Sequence, residues 1–232
     1  KLGKEDGLPD GNLGRIGITV GRNDPNRVYA LVEATKNGLY KSEDGGLKWE
    51  LVNSDPTVVT NRAFYFQDIA IDPTNENIIY NSGFVMEKSV DGGMTWNSTF
   101  PNVHVDQHAM AFNPLVPGEV LIGNDGGLYV SNDDGNSSLK NNSLPITQFY
   151  RFYVDAQNSD KIYGGTQDNS TIRTQTGGLT DWQVIYGGDG FQPIVDPTNT
   201  NVIYALSQRG NLGKSSNNGI SFSGALNGIP SS

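Results

Sequence analysis

Short apolar runs separated by turn residues recur along the chain in a fixed order. Five of them read as inner strands: RIGITV from Arg15, QDIAID from Gln67, AMAFN from Ala109, RFYVD from Arg151 and FQPIVD from Phe191. Each is followed by a turn rich in Asp, Asn and Pro and by a second apolar run: RVYALV, NIIYNS, EVLIG, KIYGG and VIYALS. A short loop leads to a third strand (GLYKS, VMEKS, GLYVS, STIRT, NLGKS) and then to an outer fourth one. The inner runs are nearly continuous in apolar residues, which predicts strands buried on both faces between neighbouring sheets.

The third strand ends on a repeated signature. Ser42-x-Asp44-x-Gly46-x-x-Trp49 and Ser89-x-Asp91-x-Gly93-x-x-Trp96 match S-x-D-x-G-x-x-W, the Asp box. Ser131-x-Asp133-x-Gly135 lacks the aromatic, and Ser215-x-Asn217-x-Gly219-x-x-Phe222 carries Asn for Asp and Phe for Trp. Between them Thr174 to Gly178, with Trp182 beyond, holds the register without the carboxylate. The anchors at 42, 89, 131, 174 and 215 are spaced by 47, 42, 43 and 41 residues. The turn after the inner strand repeats on the same beat. A period near 42 suits a four-stranded propeller blade. The Asp accepts turn N–H groups, the Gly supplies positive φ and the aromatic packs beneath, so these boxes are structural.

The expected fold is therefore all-β: a propeller of four-stranded antiparallel blades, five of them in this chain, with the remainder of a larger ring implied by resemblance to a known family. Residues 1–13 read as a connection from a preceding blade, and the blades span 14–58, 59–104, 105–146, 147–188 and 189–232. The chain starts at Lys1 rather than Met, as an excerpt of a longer protein would.

Composition narrows the function. The 29 Gly and 11 Pro fit many turns, and 16 basic against 25 acidic residues argue against nucleic acid as a partner. With no Cys there is neither a disulfide nor a thiolate metal site. No apolar run reaches the ~18 residues that span a bilayer, so no membrane insertion is expected.

Together the Asp boxes and the phrases GRIGITV, VYALVEA, GLYKSEDGGLKW, HVDQHA, LIGNDGGLYVS, YGGTQDNS and GGDGF resemble bacterial Asp-box (BNR-repeat) proteins, sortilin-like and similar to glycoside hydrolase family 74. That resemblance implies a secreted or cell-surface bacterial protein, with a glycan, an extracellular protein or peptide, or further blades as partners. It also implies that any enzymatic activity is glycoside hydrolysis of the xyloglucanase type.

Ligand residues are expected on the face opposite the boxes, where the fourth-to-first and second-to-third loops emerge. There lie His104, Asp106, His108, Asp125, Tyr150, Gln167, Asp168, Asn169, Asp189, Gln208 and Arg209, together with Arg15, Gln67, Asp68 and Gln148. By resemblance, Asp189 in GGDGF is the candidate general acid, with a second carboxylate needed from Asp106, Asp125 or Asp168. The residues alone favour Asp189 as a turn residue capping backbone amides. His104-x-Asp106-x-His108 would share one face of a strand, either as metal ligands or as a hydrogen-bonded cluster. With no third nitrogen or sulfur ligand in the pattern, we assign no metal and no cofactor. Phe64, Tyr65, Phe66 and Tyr150 can stack on sugar rings, or else pack between blades.

Overall fold

The computed structural model describes residues 2–55, 63–144 and 146–229. The blade boundary expected at 58/59 lies outside the described residues. The chain divides into two compact units, 1–144 and 145–232. Every blade is a four-stranded antiparallel sheet in chain order. In the first unit, blade I holds β1 (Ile16–Val20), β2 (Val28–Val32), β3 (Gly38–Ser42) and β4 (Glu50–Asn53). Blade II holds β5 (Asp68–Asp72), β6 (Asn75–Ser82), β7 (Met86–Ser89) and β8 (Asn97–Ser98), and blade III holds β9 (Gln107–Phe112), β10 (Val120–Asn124), β11 (Gly127–Ser131) and β12 (Leu139–Lys140). In the second unit, blade IV holds β13 (Phe149–Val154), β14 (Ile162–Thr166), β15 (Thr171–Thr174) and β16 (Gln183–Tyr186). Blade V holds β17 (Ile194–Val195), β18 (Ile203–Ser207), β19 (Asn211–Ser215) and β20 (Ser223–Gly224). No helix among the described residues is long and apolar enough to cross a membrane.

The two repeated motifs recur together because they bond to one another. In the turn between first and second strands, Asp72, Asn113, Asp155 and Asp196 each accept the N–H two residues on, at 2.8 or 2.9 Å. The carbonyls of that turn then receive the box: Gly45 N–H donates to Asn26 O, Gly92 to Asn77 O, Asp134 to Gly118 O and Asn218 to Asn201 O, all at 2.9 or 3.0 Å. Within the box, the Ser hydroxyl donates to the carboxylate and accepts the Gly N–H: Ser42 Oγ lies 2.8 Å from Asp44 Oδ1 and 2.9 Å from Gly46 N. The same arrangement recurs at Ser89, Ser131 and Ser215.

Blade IV corrects the expectation that its box has lost its carboxylate. Asp181, from the far side of the loop, accepts the Thr174 hydroxyl at 2.5 Å and the N–H groups of Gln175 and Thr176 at 3.0 and 3.2 Å. The acceptor survives although its sequence position moved.

The locked turn of one blade also docks onto the blade before it. Asn53 Nδ2 donates to the Gly93 and Met94 carbonyls at 3.1 Å. The Tyr80 hydroxyl and Lys88 Nζ both reach Asp134 O at 3.1 Å, and Arg173 Nη1 donates to Asn218 O at 2.5 Å. Tyr29, Tyr80 and Tyr163, at matching positions of the second strands, are fully buried.

The core is carried by second strands more than by inner ones, contrary to the sequence expectation. All five residues of β2 are buried, whereas Ile16, Ile18 and Val20 of β1 and Phe149, Phe152 and Val154 of β13 are exposed. A strand shows alternate residues to opposite faces, so an inner strand is buried throughout only where a blade covers each side. Blade II, flanked by I and III, meets that condition, and Ile69 and Ile71 of β5 are buried.

Two outcomes are expected. Gly93 has φ +95°, and a Cβ there would lie 2.3 Å from Leu39 Cδ2 of blade I. Gly93→Ala should therefore destabilise the first unit by about 2–4 kcal/mol in chemical denaturation. The second outcome concerns acid. The bond from Lys48 N–H, then that from the Ser42 hydroxyl, holds Asp44 below the ordinary carboxylate value, and the Ser137 hydroxyl does the same for Asp133. At Asp91 burial pushes the carboxyl up, but the bonds from Thr95 and Ser89 outweigh it. Groups depressed in the folded state stabilise it above the unfolded value, and that stability is lost as pH falls through the folded values. Melting temperature should fall steeply below about pH 4, and less steeply in the triple variant Asp44→Asn, Asp91→Asn, Asp133→Asn.

Candidate functional site

In the antiparallel order of each blade, the boxes sit at one end, and the second-to-third loops and the approaches to the inner strands sit at the other. The predicted ligand residues are distributed over that second end in both units.

In the first unit the approach to β5 is an aromatic segment. Phe64 and Tyr65 are 71% and 46% exposed while Phe66 is 2% exposed, so of the two roles left open for these rings Phe66 takes the packed one and the other two face solvent. Arg15 fixes the segment, its Nη1 donating to Tyr65 O at 2.8 Å and Phe64 O at 3.3 Å. The rings continue into His108: Tyr65 meets it edge-on with centroids at 5.1 Å, and Phe66 stacks on it at 5.7 Å. His108 Nε2 lies 2.8 Å from Asp125 Oδ1. Asp106 and Asp125 bring carboxylate oxygens within 4.8 Å of each other. Burial raises Asp68, at the start of β5, above the usual carboxylate range, against bonding to Ile69 N–H and the charge of Arg15.

The histidines do not share a strand face as expected. Strand β9 begins at Gln107, and Asp106 has φ +63°. Asp106 and Gln107 donate their N–H groups to Phe84 O and Gly83 O at 2.9 and 3.0 Å, so the segment turns to bond the neighbouring loop instead of extending β9. His104 is held inward, with Nδ1 2.9 Å from Val105 O, and its carbonyl accepts the side-chain amides of Gln107 and Asn124 at 2.5 and 3.0 Å. His104 therefore builds the loop while His108 faces out.

In the second unit, Gln167, Asp168 and Asn169 form a tight turn with Asp168 at φ +56°. The turn is closed by Thr166, whose N–H and hydroxyl both donate to Ser170 O, at 3.0 and 2.6 Å. Asn169 Nδ2 donates to Gln167 O at 3.0 Å. Asp189 Oδ1 accepts Asp168 N–H at 2.6 Å, and Ser170 and Asp189 form a parallel bridge. That places Asp189 as the clamp between two loops.

Beside it lies a cavity of about 490 Å³ lined by Tyr150, Arg151, Phe191, Gln192, Ser207 and Arg209, among others. Tyr150 and Phe191 stack 5.4 Å apart at 5°. Gln208, next to Arg209, approaches Gly188 and lies outside this lining. Sequence reasoning missed Arg151 and Phe84. The signals were a cation within an otherwise apolar inner run and an aromatic in a second-to-third loop, where Phe84 is exposed.

No protein-family model and no curated protein matches the chain. Solved structures do. A glycoside hydrolase family 74 enzyme of Niastella koreensis aligns over 90% of this chain and 37% of its own, with TM-score 0.50 and 18% identity. The family 74 xyloglucanase of Xanthomonas campestris aligns over 90% and 38%, with TM-score 0.45 and 15% identity. YCF48 bound to D1 peptide aligns over 93% and 82%, with TM-score 0.38 and 12% identity. At the level the first of these supports, the chain has the β-propeller fold of the family 74 enzymes, and it spans just over a third of that enzyme's length.

The two roles open to Asp189 separate experimentally. Asp189→Ala leaves the Asp168 amide without its acceptor and should destabilise the second unit by about 1–3 kcal/mol, whereas Asp189→Asn retains an acceptor and should cost well under half of that. Denaturation of the two variants reads the difference.

Proposed function

We propose that this chain is a glycan-binding propeller module, exported by a bacterium, with its ligand surface on the end of the blades opposite the box turns. The observation that carries this is the run of rings Phe64, Tyr65, Phe66 and His108, whose neighbouring centroids lie 4.9 to 6.4 Å apart and whose exposed members flank the His108–Asp125 pair. Aromatic faces stack on the C–H faces of sugar rings, and an adjacent imidazole and carboxylates bond hydroxyls, which is how a site gains affinity for a polar ligand without burying it. Arg15 holds the segment through its backbone, so the rings are set before the ligand arrives. The likeness to glycan-cleaving enzymes extends to fold alone. Further blades completing a ring belong to the same proposal, supported by the uncovered apolar side chains of β1.

A second reading, hydrolysis, is favoured by one observation: Asp106 and Asp125 bring carboxylate oxygens within 4.8 Å of each other, and glycoside hydrolysis needs a pair of carboxylates. One experiment addresses both. Titrating the chain with neutral β-glucan oligosaccharides should show binding, weakened about tenfold or more by Tyr65→Ala or Phe64→Ala. Chromatography of the same mixtures should show intact oligosaccharide. Cleavage that disappears in Asp106→Asn and Asp125→Asn would establish the hydrolase instead, and absence of both binding and cleavage would point to a protein ligand.

A further inference from the structure

We propose that the cavity of the second unit is a subsite for an acidic sugar, its carboxylate taken by Arg151 and Arg209 and its ring packed on Tyr150 and Phe191. This deepens the reading of a glycan-binding face but uses none of the residues on which that reading rests. At about 490 Å³ the cavity lies within the range of small-ligand sites. Tyr150 and Phe191 stack with their rings parallel, centroids 5.4 Å apart at 5°, so the pair offers an outer aromatic face on which a sugar ring can pack.

Charge selects the ligand. The chain carries 16 basic against 25 acidic residues, yet two arginines border this one cavity. A neutral sugar gains little from paired guanidinium groups, whereas a carboxylate accepts two parallel N–H bonds from such a planar fork. Arg151 is already oriented, its Nη1 donating to Tyr150 O at 2.9 Å.

Arg209 adds an independent observation. It has φ +59° and ψ +28°, the left-handed region that disfavours a long side chain, and Gly210 beside it is also at positive φ. Glycine would hold this backbone with less strain, and backbone strain of this kind gathers at ligand sites, which fits a role for the Arg209 side chain at the cavity. The amide of Gln192 and the hydroxyl of Ser207, in the same lining, supply polar partners for ring hydroxyls. An acidic peptide satisfies the arginines but leaves the aromatic face without a ring to pack.

Calorimetric titration of the intact chain with trigalacturonate and with the uncharged galactotriose tests this. Trigalacturonate should bind at least tenfold more tightly than galactotriose, and its affinity should fall as salt is raised. Arg209→Gly, which relieves the backbone while removing the charge, and Arg151→Gln should each weaken trigalacturonate tenfold or more, while Arg209→Lys should weaken it less. Equal affinity for the two sugars, indifference to both substitutions, or binding only of a peptide with a free carboxylate would overturn the proposal. Trigalacturonate binding retained in a chain that ignores neutral β-glucans would remove the aromatic run of the first unit as a glycan site and leave this one standing.

Discussion

The architecture depends on a single hydroxyl at the end of each third strand, which donates to a carboxylate or amide oxygen and accepts a turn N–H at once. That double use fixes the turn, and the fixed turn exposes carbonyls in a constant geometry. The same blade's first turn receives its N–H groups, and the preceding blade reads its carbonyls with Asn53, Tyr80, Lys88 or Arg173. Blade-to-blade docking is thus a polar contact at the rim placed over a buried tyrosine. Since a buried hydroxyl or amide without a partner is costly, the arrangement penalises misregistered packing as much as it rewards the correct one.

Most of this was legible in the sequence, because turns write their requirements locally. A left-handed residue asks for Gly at 46, 93, 135 and 219, and an Asx turn asks for Asp or Asn. What could not be read was burial, which depends on neighbours. RIGITV and QDIAID look alike as strings, yet Ile18 is exposed and Ile69 buried, because a second blade covers only the latter. Nor could the string HVDQH reveal that Asp106 turns into positive φ to bond Phe84, an interaction between residues of different blades.

The proposed ligand face follows the same division. Which end of the blades carries its candidate residues was legible, since the box turns define the opposite end. Its composition was less so: the exposure of Phe64 and Tyr65, the pairing of His108 with Asp125 and the inward turn of His104 all arise from loops meeting across blades. Asp189 was read both as a candidate acid and as a cap for backbone amides; that the amide it caps belongs to Asp168, 21 residues away, could not be read from the motif.

The turn of blade IV has a consequence for how such chains are recognised. Asp181 delivers its carboxylate to Thr174 from the opposite end of the loop, so what recurs is an acceptor position in space and not a letter in a string. A search for the S-x-D spelling finds three turns here, where the hydrogen-bond geometry counts five. Inventories of blades drawn from spelling alone will run short by whatever fraction of turns has rerouted its acceptor or exchanged Asp for Asn, and rings counted that way will look smaller than they are.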